Sequence, residues 1–257
     1  MKPISAFSLA LIITFLVAFN FHFLKEKQNT RSVLVERVID GDTLVTSEGE
    51  TIRLLNINTP EKSERGYEEA KSFLSKFEGK SLEAEIKGSD KYGRTLARLY
   101  SDSIYINLEI VTKGLGKKFL VDKSELKDFN EAESRAIENS LGNWQHSGNY
   151  RCFNSEINQE SELISLKNSC SGINFKDWTM ADESRKKYKF KSLSFDSVNI
   201  HTESGTDNST DLYWNSNQAV WNNDRDTLYL FDAERKVAHF HSYGYSFLAV
   251  FSPLFRA

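Results

Sequence analysis

From Val33 onward the chain alternates short strand-forming runs with tight turns, and this rhythm limits the possible folds more than any other feature. V-L-V-E-R-V-I (33–39) is rich in β-branched residues, breaks at Asp40-Gly41-Asp42, and resumes as T-L-V-T (43–46). Ser47-Glu48-Gly49-Glu50 supplies a second turn, and T-I-R-L-L-N-I (51–57) forms a third strand that Pro60 ends. Ala70, Phe73, Leu74 and Phe77 then recur at helical spacing, which predicts a helix from Tyr67 to Phe77. S-L-E-A-E-I (81–86) and T-L-A-R-L-Y (95–100) form two more strands around a loop holding Asp90-Lys91-Tyr92-Gly93-Arg94. A short helix follows from Asn107 to Lys113, stopped by Gly114, and a longer polar one from Glu125 to Leu141, stopped by Gly142. Five strands with a helix between the third and fourth predict a small β-barrel of the OB type with three helices.

Ahead of this pattern, Ile4 to Leu24 runs without a charged residue, long enough at about 1.5 Å per residue to cross a hydrocarbon core. A cleaved signal peptide would need small residues just before the cut, and Val17-Ala18-Phe19-Asn20-Phe21 offers no good pair. The expectation is a membrane anchor through residues 4–24, with the bulk of the chain outside the cytoplasm, or secreted if the N-terminus is cleaved. Residues 25–31 form a polar tether. The formal net charge of −3 argues against a protein that coats DNA through a broadly basic surface. A nucleic-acid enzyme of this composition would need a local cluster of Arg and Lys.

Several residues of the first half suit phosphodiester chemistry. Asp42 lies in the first tight turn, and Asn58 with the Thr59 carbonyl lies at the end of the third strand. All offer oxygen, the donor that a hard cation such as Ca²⁺ takes. Arg53 projects from the third strand, Glu61 follows the rigid Pro60, and Arg94 follows Gly93 in a loop with no evident structural duty. Attack on a phosphodiester builds negative charge that guanidiniums and a metal stabilise, and a carboxylate can orient or deprotonate the attacking water.

In order and spacing, V-I-D-G-D-T-L-V, I-R-L-L-N-I-N-T-P-E, Y-E-E-A-K-S-F-L and D-K-Y-G-R-T-L-A resemble the staphylococcal nuclease (thermonuclease) family, and the likeness runs on to the helix ending in G-N-W. The resemblance implies an OB-type barrel that hydrolyses DNA and RNA with Ca²⁺, leaving 3′-phosphate ends. It implies Asp42, Asn58 and Thr59 as metal ligands, Arg53 and Arg94 as phosphate-binding arginines, and Glu61 as the water-orienting base. Asp40 and Thr43 would support the metal, and Lys91 and Tyr92 would contact the nucleotide. Asn58 departs from the family, which has an Asp there, so one negative charge is lost. The family's second nucleotide-contacting aromatic has no clear counterpart here; in the string G-K-K-F-L, Phe119 is the nearest candidate. A non-catalytic module of the same barrel, holding nucleic acid or protein, is the alternative function.

Beyond Trp144, Asn, Ser and Asp become frequent. Short strand candidates recur at L-I-S-L (163–166), Y-K-F (188–190), S-V-N-I (197–200), A-V-W (219–221), T-L-Y-L-F (227–231) and V-A-H-F (237–240). Such spacing predicts a β-sandwich. E-L-I-S-L-K-N, W-T-M-A-D and A-V-W-N-N-D-R-D-T-L-Y-L-F-D resemble the lamin-tail domain, which implies an immunoglobulin-like sandwich. The expected organisation is an anchor or signal and tether over 1–31, a nuclease-like domain over 32–148 and a sandwich over 149–257, acting as a monomer. Trp178, Trp214 and Trp221 are expected to pack the sandwich rather than stack on a ligand. Cys152 and Cys170 are either a disulfide bracing the sandwich or two separate thiols. His239 and His241 share a strand face, where ordinary packing is favoured over a two-histidine metal site. Asn208-Ser209-Thr210 fits the glycosylation pattern.

Overall fold

The computed structural model describes residues 30–191 and 193–245, together with Thr14. The run predicted to cross a membrane, 4–24, lies outside the described residues apart from Thr14, and no helix among the described residues is long and apolar enough to span a bilayer. Two compact units divide the chain. One takes the chain to Leu55 and then Lys71–Asn107; the other takes Asn56–Ala70 and then the chain from Leu108.

The first unit is a closed barrel. Its strands are β1 (Thr30–Asp40), β2 (Thr43–Thr46), β3 (Thr51–Leu54) and, beyond the two-residue strand β4 (Ile57–Asn58) and helix α1 (Tyr67–Ser75), β5 (Ser81–Ser89), β6 (Thr95–Ser101) and β7 (Ile104–Tyr105). The order is β3-β2-β1-β5-β6-β7, and a parallel pairing of β3 with β6 closes the first five into a ring. Closure removes the exposed edges that an open sheet would carry. Alternation puts Val33, Val35, Leu44, Ile52, Leu54, Leu82, Ala84, Ala97 and Leu99 inside, each nearly fully buried. A register shift between Val35 and Arg37 resets the alternation of β1, so Val38 is buried while Arg37 stays in water. Asn107 is a buried staple: its amide donates to the Leu55 and Ala97 carbonyls at 3.0 and 3.1 Å and accepts from the Leu99 N–H at 3.0 Å.

The second unit contains β4 paired with β8 (Lys117–Lys118), a 3₁₀ turn at Lys123–Glu125, and helix α3 (Leu126–Glu138), which follows α2 (Ile106–Thr112). The expected third strand is therefore split. Asn56 takes a left-handed conformation (φ 67°) that ends strand geometry, and its side chain is spent on the Asp122 N–H at 3.1 Å and the Glu125 carboxylate at 2.6 Å. Gly114 ends α2 as expected: its N–H reaches the Val111 carbonyl, and the Leu115 N–H reaches back to Ile110. Gly142 does not end α3. The helix stops at Glu138, and Ser140 (φ 56°) takes the left-handed position, with the Leu141 N–H donating to Ala136. Gly142 serves close packing instead: a Cβ there would lie 2.6 Å from the Gly114 carbonyl oxygen.

The sandwich follows. One sheet has the order β14-β13-β10-β9, from β9 (Phe153–Asn158), β10 (Leu163–Asn168), β13 (Ser197–His201) and β14 (Asp211–Tyr213). The other has the order β12-β11-β15-β16, from β11 (Thr179–Ala181), β12 (Lys187–Lys189), β15 (Asp226–Phe231) and β16 (Val237–Tyr243). Trp178 and Trp221 lie in the core between them, and Trp214 packs at its margin, the packing role expected of all three. Ala219-Val220-Trp221 is not a strand. The N–H groups of Val220 and Trp221 donate to the Glu162 carboxylate, so side-chain capping replaces ladder pairing there. Cys152 and Cys170 form a disulfide. His239 and His241 do share a face, and both ring nitrogens meet Ser155 Oγ at 2.9 Å. Among the described residues no group of three His, Cys, Asp or Glu side chains is placed to hold a metal, these histidines included.

Candidate active site

In the barrel, the turn between β1 and β2 builds the first cluster. Asp42 is buried, and its carboxylate meets Arg53 Nε at 3.2 Å and the Thr43 hydroxyl at 3.1 Å. Register explains the pairing: Thr43 lies directly opposite Arg53 on the antiparallel β2–β3 ladder. Arg53 occupies the outward phase of β3, between buried Ile52 and Leu54. Asp40 accepts the Asp42 N–H at 3.1 Å, which fixes the turn. Burial, reinforced by the neighbouring Asp42 carboxylate, raises the Asp40 carboxyl above its usual range.

The β5–β6 hairpin carries the second cluster, and here the expectation for Arg94 is corrected. Arg94 has a structural duty: its Nε pairs with the Asp90 carboxylate at 2.8 Å while its N–H donates to the same group at 3.0 Å. Asp90 organises the turn, its carboxylate accepting the Tyr92 N–H as well, and backbone bonds from Asp90 N–H to the Arg94 carbonyl and from Gly93 N–H to the Asp90 carbonyl close the loop. Lys91 and Arg94 flank the exposed Tyr92 ring, at 5.0 and 5.6 Å from its centroid.

Asn58, Thr59 and Glu61 belong to the second unit. Asn58 pairs with Lys117 across β4–β8, Thr59 is buried, and Glu61 is largely exposed. Arg185, in the hairpin between β11 and β12, donates one guanidinium nitrogen to the Glu61 carboxylate and another to the Thr59 carbonyl. Nothing in the first half of the sequence signals this partner, 124 residues away from Glu61.

Comparison with known proteins bears on the whole arrangement. The profile described as "Staphylococcal nuclease homologue" matches residues 51–146, and that of the lamin tail domain matches 147–245. An uncharacterized endonuclease of Haemophilus influenzae is 34% identical over 138 residues, covering 51% of this chain and 74% of its own length. The chain belongs to the staphylococcal nuclease family. The thermonuclease of Staphylococcus intermedius is 31% identical over 128 residues, covering 44% of this chain and 76% of its own. Endonuclease YncB of Bacillus subtilis is 29% identical over 140 residues, covering 48% and 66%.

For a staphylococcal nuclease homologue the donor set can be tested against a hard cation. Asp42 belongs to the first unit and Asn58 and Thr59 to the second, and each offers an oxygen, the kind of donor Ca²⁺ takes. Asn58 brings no charge, and the Thr59 carbonyl already accepts from Arg185, so a cation arriving at that oxygen competes with a guanidinium.

Sequence reasoning also missed Lys118. It is fully buried, ion-paired with buried Glu133, 3.6 Å from Glu183, and donates to Thr227 and Ser242 at 2.8 and 3.1 Å. Tyr229 donates to Glu133, and Tyr245 to Glu183. Burial raises the Glu183 carboxyl even with the Lys118 ammonium beside it. Sequence reading did not identify β8; once Lys117 and Lys118 lie on it, successive residues face opposite ways and one lysine turns inward.

Proposed function

We propose that the protein is a Ca²⁺-dependent endonuclease that hydrolyses DNA or RNA outside the cytoplasm and leaves 3′-phosphate ends. The observation that carries this reading is the Asp42–Arg53 pair, a carboxylate held in the β1–β2 turn against a guanidinium on β3. Asp42, Asn58 and the Thr59 carbonyl would hold the ion, with Asp40 and Thr43 in support. A bound Ca²⁺ supplies charge neutralisation at the phosphoryl oxygens. Arg53 and Arg94 bind the phosphate and stabilise the charge that develops there. Glu61 takes the proton of the attacking water, whose oxygen bonds to phosphorus as the bond to the 5′-oxygen breaks, and the departing 5′-oxygen takes up a proton from solvent. Lys91 and Tyr92 bind the adjacent nucleotide.

Outward location draws support from the uncharged run 4–24 and from the disulfide, a bond that persists in oxidising compartments.

The test pairs cleavage with metal against binding without it, for Glu61→Gln and Arg94→Lys. Glu61→Gln should lower kcat by about 10²-fold or more, the scale of a lost general base, with DNA binding unchanged. Arg94→Lys keeps a cation near Asp90 but loses the bidentate fork, so cleavage should fall while the hairpin survives. Cleavage that persists in the double variant would place the chemistry elsewhere. Binding without any metal-dependent cleavage in the parent protein would favour the non-catalytic module.

A further inference from the structure

Two hairpins of the sandwich share a five-residue pattern. Asp182-Glu183-Ser184-Arg185-Lys186 joins β11 to β12, and Asp232-Ala233-Glu234-Arg235-Lys236 joins β15 to β16. In each, the Asp carboxylate accepts the N–H of the Lys four residues on, at 2.7 and 2.9 Å. In each, the Arg sits in the left-handed region, at φ 75° and 64°. That conformation is costly for a long side chain and free for glycine. Turn geometry alone therefore does not account for arginine at either position, and its side chain must be sought as the reason.

Both side chains reach one cavity of about 340 Å³ within the second unit, which Asn58 and Thr59 also line. Five cations border it, Arg65, Lys117, Arg185, Lys187 and Arg235, against the single carboxylate of Glu64. Lys187 is paired with Glu64 at 2.5 Å and Arg185 with Glu61. Neither Arg65 nor Arg235 has a carboxylate within ion-pair distance among the described residues, and both are exposed. Lys117 has its ammonium 4.2 Å from the Tyr229 ring centroid and 5.3 Å from that of Phe231, which also lines the cavity. Unpaired guanidiniums beside an aromatic wall suit a chain of phosphates carrying bases better than they suit a lone ion.

We propose that this cavity is a polynucleotide-backbone subsite, in which Arg65 and Arg235 bind phosphates of a single-stranded segment next to the Thr59–Glu61 stretch. The sandwich is then part of the substrate track. The ligand class rests on the nuclease reading, but the test separates the two.

The experiment uses the full-length chain and a 12-residue single-stranded deoxyoligonucleotide, with chelator, over a range of salt. Arg235→Gly relieves the left-handed strain, so Tm should hold or rise. Its Kd should rise about tenfold at low salt, and the slope of log K against log salt should fall by about 0.7, the value per phosphate for single strands. Arg65→Ala with Arg235→Gly should double the loss of slope. Unchanged Kd and slope in a folded double variant overturn the proposal, as does a parent protein that does not bind the oligonucleotide. A parent protein that binds with the expected slope but cleaves nothing with Ca²⁺ leaves the subsite standing and removes the nuclease.

Discussion

An amide at position 58 coordinates through oxygen without adding charge, and the neighbouring Thr59 carbonyl is held by a guanidinium. Both features weaken attraction for a divalent ion. Asn58→Asp restores one negative charge, and Arg185→Gln removes one positive charge. Each should tighten Ca²⁺ binding by about tenfold, which is about 1.4 kcal/mol, as read by titration calorimetry without substrate. An affinity unmoved by both changes would show that residues 58–59 hold no ion. His239 gives a second residue-level expectation. Burial, with the His241 ring adding to it, lowers its pKa to about 4. The unfolded chain, titrating near 6.5, binds the proton first as pH falls. Stability from the neutral ring is full above about pH 6.5 and is lost progressively between there and about pH 4. Chemical denaturation at stepped pH should show that slope, and His239→Gln should flatten it.

Elements follow local chemistry wherever local chemistry suffices. The five barrel strands, the Gly114 stop and the Asp40-Gly41-Asp42 turn were legible because alternation and turn residues determine them within a few positions. The break at Asn56, the capping of Val220 and Trp221 by Glu162, and the end of α3 at Ser140 were not. In the first two cases the deciding partner lies far away in sequence; in the third the closing bonds are local, but Ser140 takes the left-handed position that glycine would be expected to fill. The same division runs through the candidate site. Asp42 and Arg53 could be read from their motifs, whereas the Arg94–Asp90 bond and the grip of Arg185 on Glu61 appear only in three dimensions. Gly142 offers a test at this scale. Gly142→Ala puts a Cβ 2.6 Å from the Gly114 carbonyl oxygen at φ 53°, so it should cost about 2 kcal/mol or more, from combined strain and overpacking. Thermal unfolding would register this as a lower Tm, and an unchanged Tm would mean that the two glycine turns separate freely.

At the scale of the molecule, the second unit unites the late nuclease-family segment with the sandwich. Ala136, Ile137 and Trp144 share a core with Tyr229 and Val237. Lys118 and Glu133 share hydrogen bonds with Thr227, Ser242 and Tyr229. Lys118→Met, which strands a buried carboxylate, should therefore cost about 3–5 kcal/mol. Residues 32–148 produced alone should lose the fixed near-ultraviolet signal of Trp144 and bind hydrophobic dyes. A cooperative unfolding transition in that fragment, as steep as that of the longer chain, would count against this.

The buried ammonium of Lys118 also bears on how such proteins can be reassembled by recombination. A nuclease-family segment that packs its last helix with its own apolar residues can be joined to any neighbour through a linker. This one carries a lysine whose hydroxyl partners are encoded more than 100 residues downstream, at Thr227 and Ser242. Exchange of the sandwich for one lacking those partners would bury a cation with half its bonds unmade. Thermal melts of such a chimaera should show cooperative folding only when the lysine and its distant hydroxyls move together.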